Sequence, residues 1–305
     1  MKCHFCKSKD GIFDLENFDM IEITWKDDCA ALTGEQMDPA LIFNCGQAFR
    51  FEEDEAGVYR GIAYGRQIGC RKIENGMELF PVTPEEMERI WKGYFDLDFC
   101  YPPEDARFSS DAILREAAQC CTGLRILRQE PFETLITFIL SANNNIARIR
   151  GIVKKVCALA GEEIAPGCFA FPTPQALAVQ SEQALRACGA GYRARYVLET
   201  ARKVAEGYDL EQFYRMDYAA ARAELCSLSG VGPKVADCIL LFAYQKREAF
   251  PADVWIRRML GELYGFEAKN DKEILQFASE HFGAYGGLAQ QYLFHYMRTK
   301  AKQKE

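Results

Sequence analysis

The chain has 305 residues, 49% of them hydrophobic and 27% charged, with a formal net charge of −7. That length suits two or three compact units, and the apolar share rules out wholesale disorder. No apolar run approaches the roughly 20 residues of a membrane-spanning helix, and the opening Met1-Lys2-Cys3-His4-Phe5-Cys6 lacks a signal-peptide core, so a cytoplasmic protein with no membrane partner is expected.

The negative charge at first argues against nucleic acid as a partner, but its distribution softens this. Residues 1–122 hold 13 Lys+Arg against 24 Asp+Glu, net −11, and residues 123–305 hold 24 against 20, net +4. Any DNA-facing surface is therefore expected mainly in the second part. The 13 cysteines form no framework pattern, which fits free thiols in a reducing compartment. Cys3 and Cys6 make a lone CxxC with no second pair to complete a zinc site, so no metal is expected.

In chain order, the first elements read as strands. Ile21-Glu22-Ile23-Thr24-Trp25 alternates at period two. Phe49–Phe51, Val58–Tyr64 and Gln67–Cys70 are short, rich in β-formers and separated by Gly and charged residues. A helix is expected from Pro84 through Trp91, and from about residue 107 the pattern turns helical. Pro131 opens a helix whose Phe132, Leu135, Ile136, Ile139 and Leu140 recur at helical spacing. Asn143-Asn144-Asn145 interrupts it. The next helix puts Ile149, Ile152, Val153 and Val156 on one face and Arg148, Arg150, Lys154 and Lys155 on the other. The expected architecture is α+β: an N-terminal antiparallel sheet domain (1–118), then two mainly α-helical subdomains (119–305), with the site in the cleft between them.

The most informative segment is Leu228-Ser229-Gly230-Val231-Gly232-Pro233-Lys234, within a helical hairpin spanning about 218–246. Gly230 suits a left-handed helix end, Gly232 a cap, and Pro233 the first position of the next helix. Such a turn presents backbone N–H groups at a helix N-terminus, where a phosphate binds without any Lys or Arg. Lys234 lies in the first turn, against the helix dipole, and that placement calls for a reason. Nineteen residues on, Asp253 precedes another helical pattern. It reads as an N-cap, and the same geometry would hold a carboxylate aimed into a cleft.

These residues resemble the helix-hairpin-helix, Gly/Pro-Asp DNA glycosylase superfamily: Leu228–Cys238 matches the hairpin and Pro251-Ala252-Asp253 the Pro-x-Asp element. Over about residues 18–298 the chain resembles the 8-oxoguanine DNA glycosylases. That resemblance implies a monomeric bifunctional glycosylase/AP lyase acting on double-stranded DNA that contains oxidised guanine, with no cofactor. By it, Lys234 is the nucleophile and Asp253 its partner. The Gly46 carbonyl senses the N7–H of oxidised guanine, Gln290 bonds the Watson–Crick edge, and Phe294 and Cys238 sandwich the ring. Asn143 fills the vacated stack, Arg148 and Arg193 read the orphaned cytosine, Tyr192 lies beside the kinked step, and Gly230 and Gly232 grip phosphate. Two departures stand out: Trp255 where better-known members have His, and His295-Tyr296-Met297 where they carry an acidic residue after the pocket Phe. No four-cysteine cluster follows Cys238, so an iron–sulfur cluster is not expected. The alternatives are a glycosylase for another damaged purine and a non-catalytic helix-hairpin-helix DNA-binding module.

Overall fold

The computed structural model describes residues 21–34, 36–102 and 105–302; Cys3 and Cys6 lie outside the described residues. Strands β1 (Glu22–Lys26) and β2 (Cys29–Thr33) form a hairpin, and α1 (Pro39–Phe43) follows, capped by the Asp38 carboxylate on Ala40 N–H. β3 (Phe51–Glu53), β4 (Tyr59–Ala63), β5 (Arg66–Ile73) and β6 (Gly76–Phe80) complete an antiparallel sheet in the order β1-β2-β6-β5-β4-β3. The β4–β5 turn places Tyr64 and Gly65 both at positive φ, the hand that matches strand twist. β2 and β6 carry no clear alternation in the sequence; pairing with their neighbours, not propensity, makes them strands.

One face of this sheet buries Leu32, Phe51, Met77 and Leu79 against Phe43 of α1 and against Trp91 and Tyr94. The last two lie on a continuous helical stretch. It opens at a Thr83/Glu86 capping box as α2 (Pro84–Glu86), passes through a π-helical turn (Met87–Trp91) and ends as α3 (Lys92–Tyr94).

The helical body starts with α4 (Ala106–Ser110) and α5 (Ala112–Cys120). The expected division at 118/119 falls inside α5, whose Leu114 and Ala117 are buried in the helical core. After an extended strap come α6 (Pro131–Ser141) and α7 (Ile146–Ala160), a small hairpin of β7 (Glu163–Ala165) and β8 (Cys168–Phe169), then α8 (Pro174–Ala178), α9 (Glu182–Ala187) and α10 (Arg193–Ala205). α11 (Gln212–Arg215), α12 (Tyr218–Leu225), α13 (Pro233–Tyr244), α14 (Val254–Tyr264), α15 (Asp271–Phe282) and α16 (Gly286–Lys302) complete the chain. α6 is buried on every side from Thr134 to Ser141, as its mostly apolar sequence requires, and packs on α13 and α10. α5, α14 and α15 gather instead around α16. The two groups of helices share one continuous core, and a cleft opens between α13 of the first group and α14 and α16 of the second.

Candidate active site

The loop between α12 and α13 folds as its glycines demand. Gly230 has φ +80, and a Cβ there would lie 2.7 Å from Cβ of Tyr196 on α10, so only glycine fits. Gly232 differs: its φ is −93 and nothing lies within 4 Å of where a Cβ would sit. No side chain caps α13, so its first N–H groups are left for an outside acceptor. α10 supports the turn through Thr200 Oγ1, which donates to Ser229 O at 3.0 Å.

Lys234 is the second residue of α13 and is half-buried, its ammonium 5.5 Å from the centroid of the Phe138 ring of α6. One turn on, Cys238 is buried and its sulfur accepts a hydrogen bond from the lysine. Burial disfavours the lysine's charge, but the Cys238 sulfur and the carboxylates of Asp253 and Asp237 outweigh it and hold its pKa above the ordinary lysine value. Burial also pushes the Cys238 thiol up, against the pull of Lys234. Among the described residues no cation contributes to lowering the lysine's pKa. Asp237, next to Cys238, is committed elsewhere: it accepts from Tyr218 OH and Arg222 Nε, each at 2.7 Å.

Asp253 caps α14, its Oδ1 accepting from Ile256 N–H at 2.9 Å, so the cap and the cleft-facing carboxylate are one geometry. From α16, Gln290 and half-buried Phe294 project into the same cleft. Gln291 Nε2 donates to Gln290 Oε1 at 2.8 Å, which orients that amide.

Gly46 reaches the cleft from the sheet domain, on a turn riveted to three elements. Gln47 is buried; its Nε2 donates to Ile42 O and to Arg125 O of the strap, both at 2.8 Å, and its Oε1 accepts from Leu127 N–H at 2.9 Å. Arg150 of α7 donates to Phe43 O (2.9 Å) and Asn44 Oδ1 (3.1 Å), and Arg298 of α16 to Asn44 O (3.1 Å). Arg150 therefore leaves the solvated basic face expected for it; it is half-buried and holds this turn. Gly46 itself has φ +84.

Six of the expected residues, Lys234, Cys238, Asp253, Gly46, Gln290 and Phe294, thus line one cavity of about 140 Å³. Cys45, Phe49, Phe138 and Ile149 are part of its apolar wall. The sequence carries no local signal for Phe138 or Gln47, whose contacts span about a hundred residues or most of that. Burial pushes the Cys45 thiol up to about 12.

Asn143, Arg148, Tyr192 and Arg193 do not line this cavity. Asn143 is exposed at φ +52, a left-handed conformation that asparagine tolerates. Arg148, one turn into α7, is exposed and has no carboxylate partner among the described residues. Tyr192 is 51% exposed, with the Arg193 guanidinium 4.4 Å from its ring centroid. Arg193 is not at the surface. Its Nε donates to Ala142 O (2.7 Å) and its Nη2 to both Ala142 O and Asn143 O, so it is buried and ties the Tyr192 segment to the Asn143 loop. No group of three or more potential metal ligands occurs among the described residues, and no helix there is long and apolar enough to cross a membrane.

Residues 30–135 match the family described as 8-oxoguanine DNA glycosylase, N-terminal domain, and residues 136–283 match HhH-GPD superfamily base excision DNA repair protein. A probable N-glycosylase/DNA lyase of Methanothermobacter thermautotrophicus is 36% identical over 237 residues, covering 70% of this chain and 74% of that one. The N-glycosylase/DNA lyase OGG1 of Arabidopsis thaliana is 31% identical over 284 residues, 86% and 78% of the two chains. Among solved structures, Clostridium acetobutylicum 8-oxoguanine glycosylase/lyase in complex with double-stranded DNA containing cytosine opposite 8-oxoguanine superposes with a TM-score of 0.86 at 37% identity, covering 93% of this chain and 99% of that one.

Proposed function

This chain belongs to the HhH-GPD superfamily of base excision DNA repair proteins, in the branch of the 8-oxoguanine glycosylases, and we propose that it excises 8-oxoguanine from duplex DNA and then nicks the strand. The observation that carries the reading is the shared cavity: Lys234, Asp253, Gln290, Phe294 and the Gly46 turn line one space, where an extruded nucleotide would meet all of them. A base inside the stack is inaccessible to any of them.

In this reading the hairpin N–H groups around Gly232 hold a backbone phosphate, Asn143 and Tyr192 occupy the opened stack, and Arg148 meets the orphaned cytosine. Arg193 holds the Asn143 loop in place. Oxidised guanine carries hydrogen on N7, which donates to the Gly46 carbonyl; guanine presents a lone pair there and is repelled. Gln290 bonds the Watson–Crick edge, between Phe294 and Cys238. The neutral Lys234 amine attacks C1′; the C1′–N9 bond breaks and the base departs with the electron pair and gains a proton. The amine gives up one proton, the C1′–O4′ bond breaks as O4′ takes a proton, and the sugar ring opens to a protonated imine. Loss of a C2′ proton then breaks the C3′–O bond. Asp253 stabilises positive charge on sugar and imine throughout. Every group named belongs to one chain, so the proposed chemistry calls on no second subunit, and we propose a monomer.

Borohydride should trap a covalent adduct between the protein and an 8-oxoguanine duplex, and Lys234→Gln should abolish it. Undiminished trapping in that variant would remove Lys234 from its role. A lesion panel, each base presented opposite all four partners, should give fastest release for 8-oxoguanine opposite cytosine.

A further inference from the structure

We propose that Trp255, with Val254 beside it, is a platform on which the sugar and base next to the extruded nucleotide rest, so that the mouth of the cavity grips DNA by apolar contact and not by charge. The proposal rests on the reading that the cavity takes a nucleotide from duplex DNA.

Val254 is 80% exposed and Trp255 67% exposed. A single exposed apolar residue means little, but two adjacent large ones that directly follow the cavity-lining Asp253 mark a contact surface. Their placement is rigid. Asp253 accepts from Ile256 N–H through its side chain and from Arg257 N–H through its carbonyl (3.0 Å), and Ile256 is buried in the helical core. The platform is therefore fixed relative to the carboxylate that faces the cavity. Arg257 is paired with Asp271 and Arg258 with Glu262, so neither cation of the first two turns is left for a phosphate. What remains at the surface is an indole face, and nucleobases stack on aromatic faces with little sequence preference.

The chain has three tryptophans, which makes the test direct. Trp91 is buried in the sheet core, and Trp25 lies on β1, the terminal strand of the sheet. Intrinsic fluorescence should therefore change when a duplex with a stable abasic-site analogue is added, and Trp255→Phe should remove that change while keeping the affinity. Trp255→Ala should weaken binding about tenfold, as loss of one stacked base does. The slope of log affinity against log salt should stay unchanged, because no phosphate contact is lost. Because Trp255 is exposed, the melting temperature of both variants should match the parent. Wild-type affinity in Trp255→Ala would overturn the proposal. So would a slope shallower by about one, which marks an ionic contact. If the unaltered protein neither binds the duplex nor releases 8-oxoguanine, it is the parent reading that fails.

Discussion

At the scale of the residue, Lys234 must be neutral to attack, yet its surroundings favour the ammonium. Burial alone would depress its pKa; the Cys238 sulfur and two carboxylates reverse that sign. The DNA-free enzyme therefore holds mostly charged lysine near neutral pH, and the neutral fraction grows about tenfold per pH unit below the raised pKa. The initial rate of borohydride trapping should rise with pH across the neutral and alkaline range, and Cys238→Ala should shift that rise to lower pH. Gly46 makes a second prediction. A Cβ there meets only Ile146 Cδ1 at 3.5 Å, an ordinary contact, but φ +84 strains any L side chain. Gly46→Ala should cost about 1–2 kcal/mol of stability and displace the carbonyl. Release of 8-oxoguanine should fall more than cleavage of a preformed abasic site, measured as the ratio of the two rates. Lys234 and Asp253 were legible in the sequence because each sits at a helix start, where local rules apply. Gln47, Arg298 and Phe138 were not, because their meaning arises from partners far away in the chain.

At the scale of the element, the α12–α13 hairpin separates two kinds of glycine that look alike in a motif. Gly230 answers to the fold, with a left-handed φ and Tyr196 against it; Gly232 has an ordinary φ and open space. Gly230→Ala should lower stability by about 2 kcal/mol or more. Gly232→Ala should leave the melting temperature nearly unchanged but weaken DNA binding about tenfold, since an added methyl obstructs the backbone where a phosphate approaches. Equal loss of binding and stability in both variants would contradict that division. The same scale shows where helical periodicity misleads. It gives α7 one apolar and one basic face, and Arg148 obeys. Arg150, two residues on, turns under the sheet domain and holds the Gly46 turn, a role set by the neighbouring domain and not by helix period.

At the scale of the whole molecule, Arg50 of the sheet domain is buried against Glu133 of α6 at 3.1 Å and also donates to Phe169 O. Burial pushes the Glu133 carboxyl up to about 7 even so. His295, buried on α16, moves oppositely: burial and then Arg298 bring it down to about 4. The two act on stability with opposite signs. His295 favours folding above its unfolded pKa of about 6.5, and that contribution is lost as pH falls towards about 4, a loss on the order of 3 kcal/mol. Glu133 contributes most below about pH 4.5 and loses it as pH rises towards about 7. The drop in melting temperature between pH 7 and pH 4.5 should therefore be smaller in His295→Leu than in the parent, with Glu133 common to both. The buried thiols have a consequence of another kind. Two of them, Cys45 and Cys238, form part of the cavity wall, and burial pushes both thiols up. Peroxide reacts with thiolate, and a thiol near 12 is ionised in only about one copy in 10⁵ at pH 7. An enzyme whose substrate is made by oxidants should accordingly keep its own pocket chemically intact under the stress that creates its work. Peroxide doses that modify the exposed Cys100 and Cys120 should leave excision undiminished.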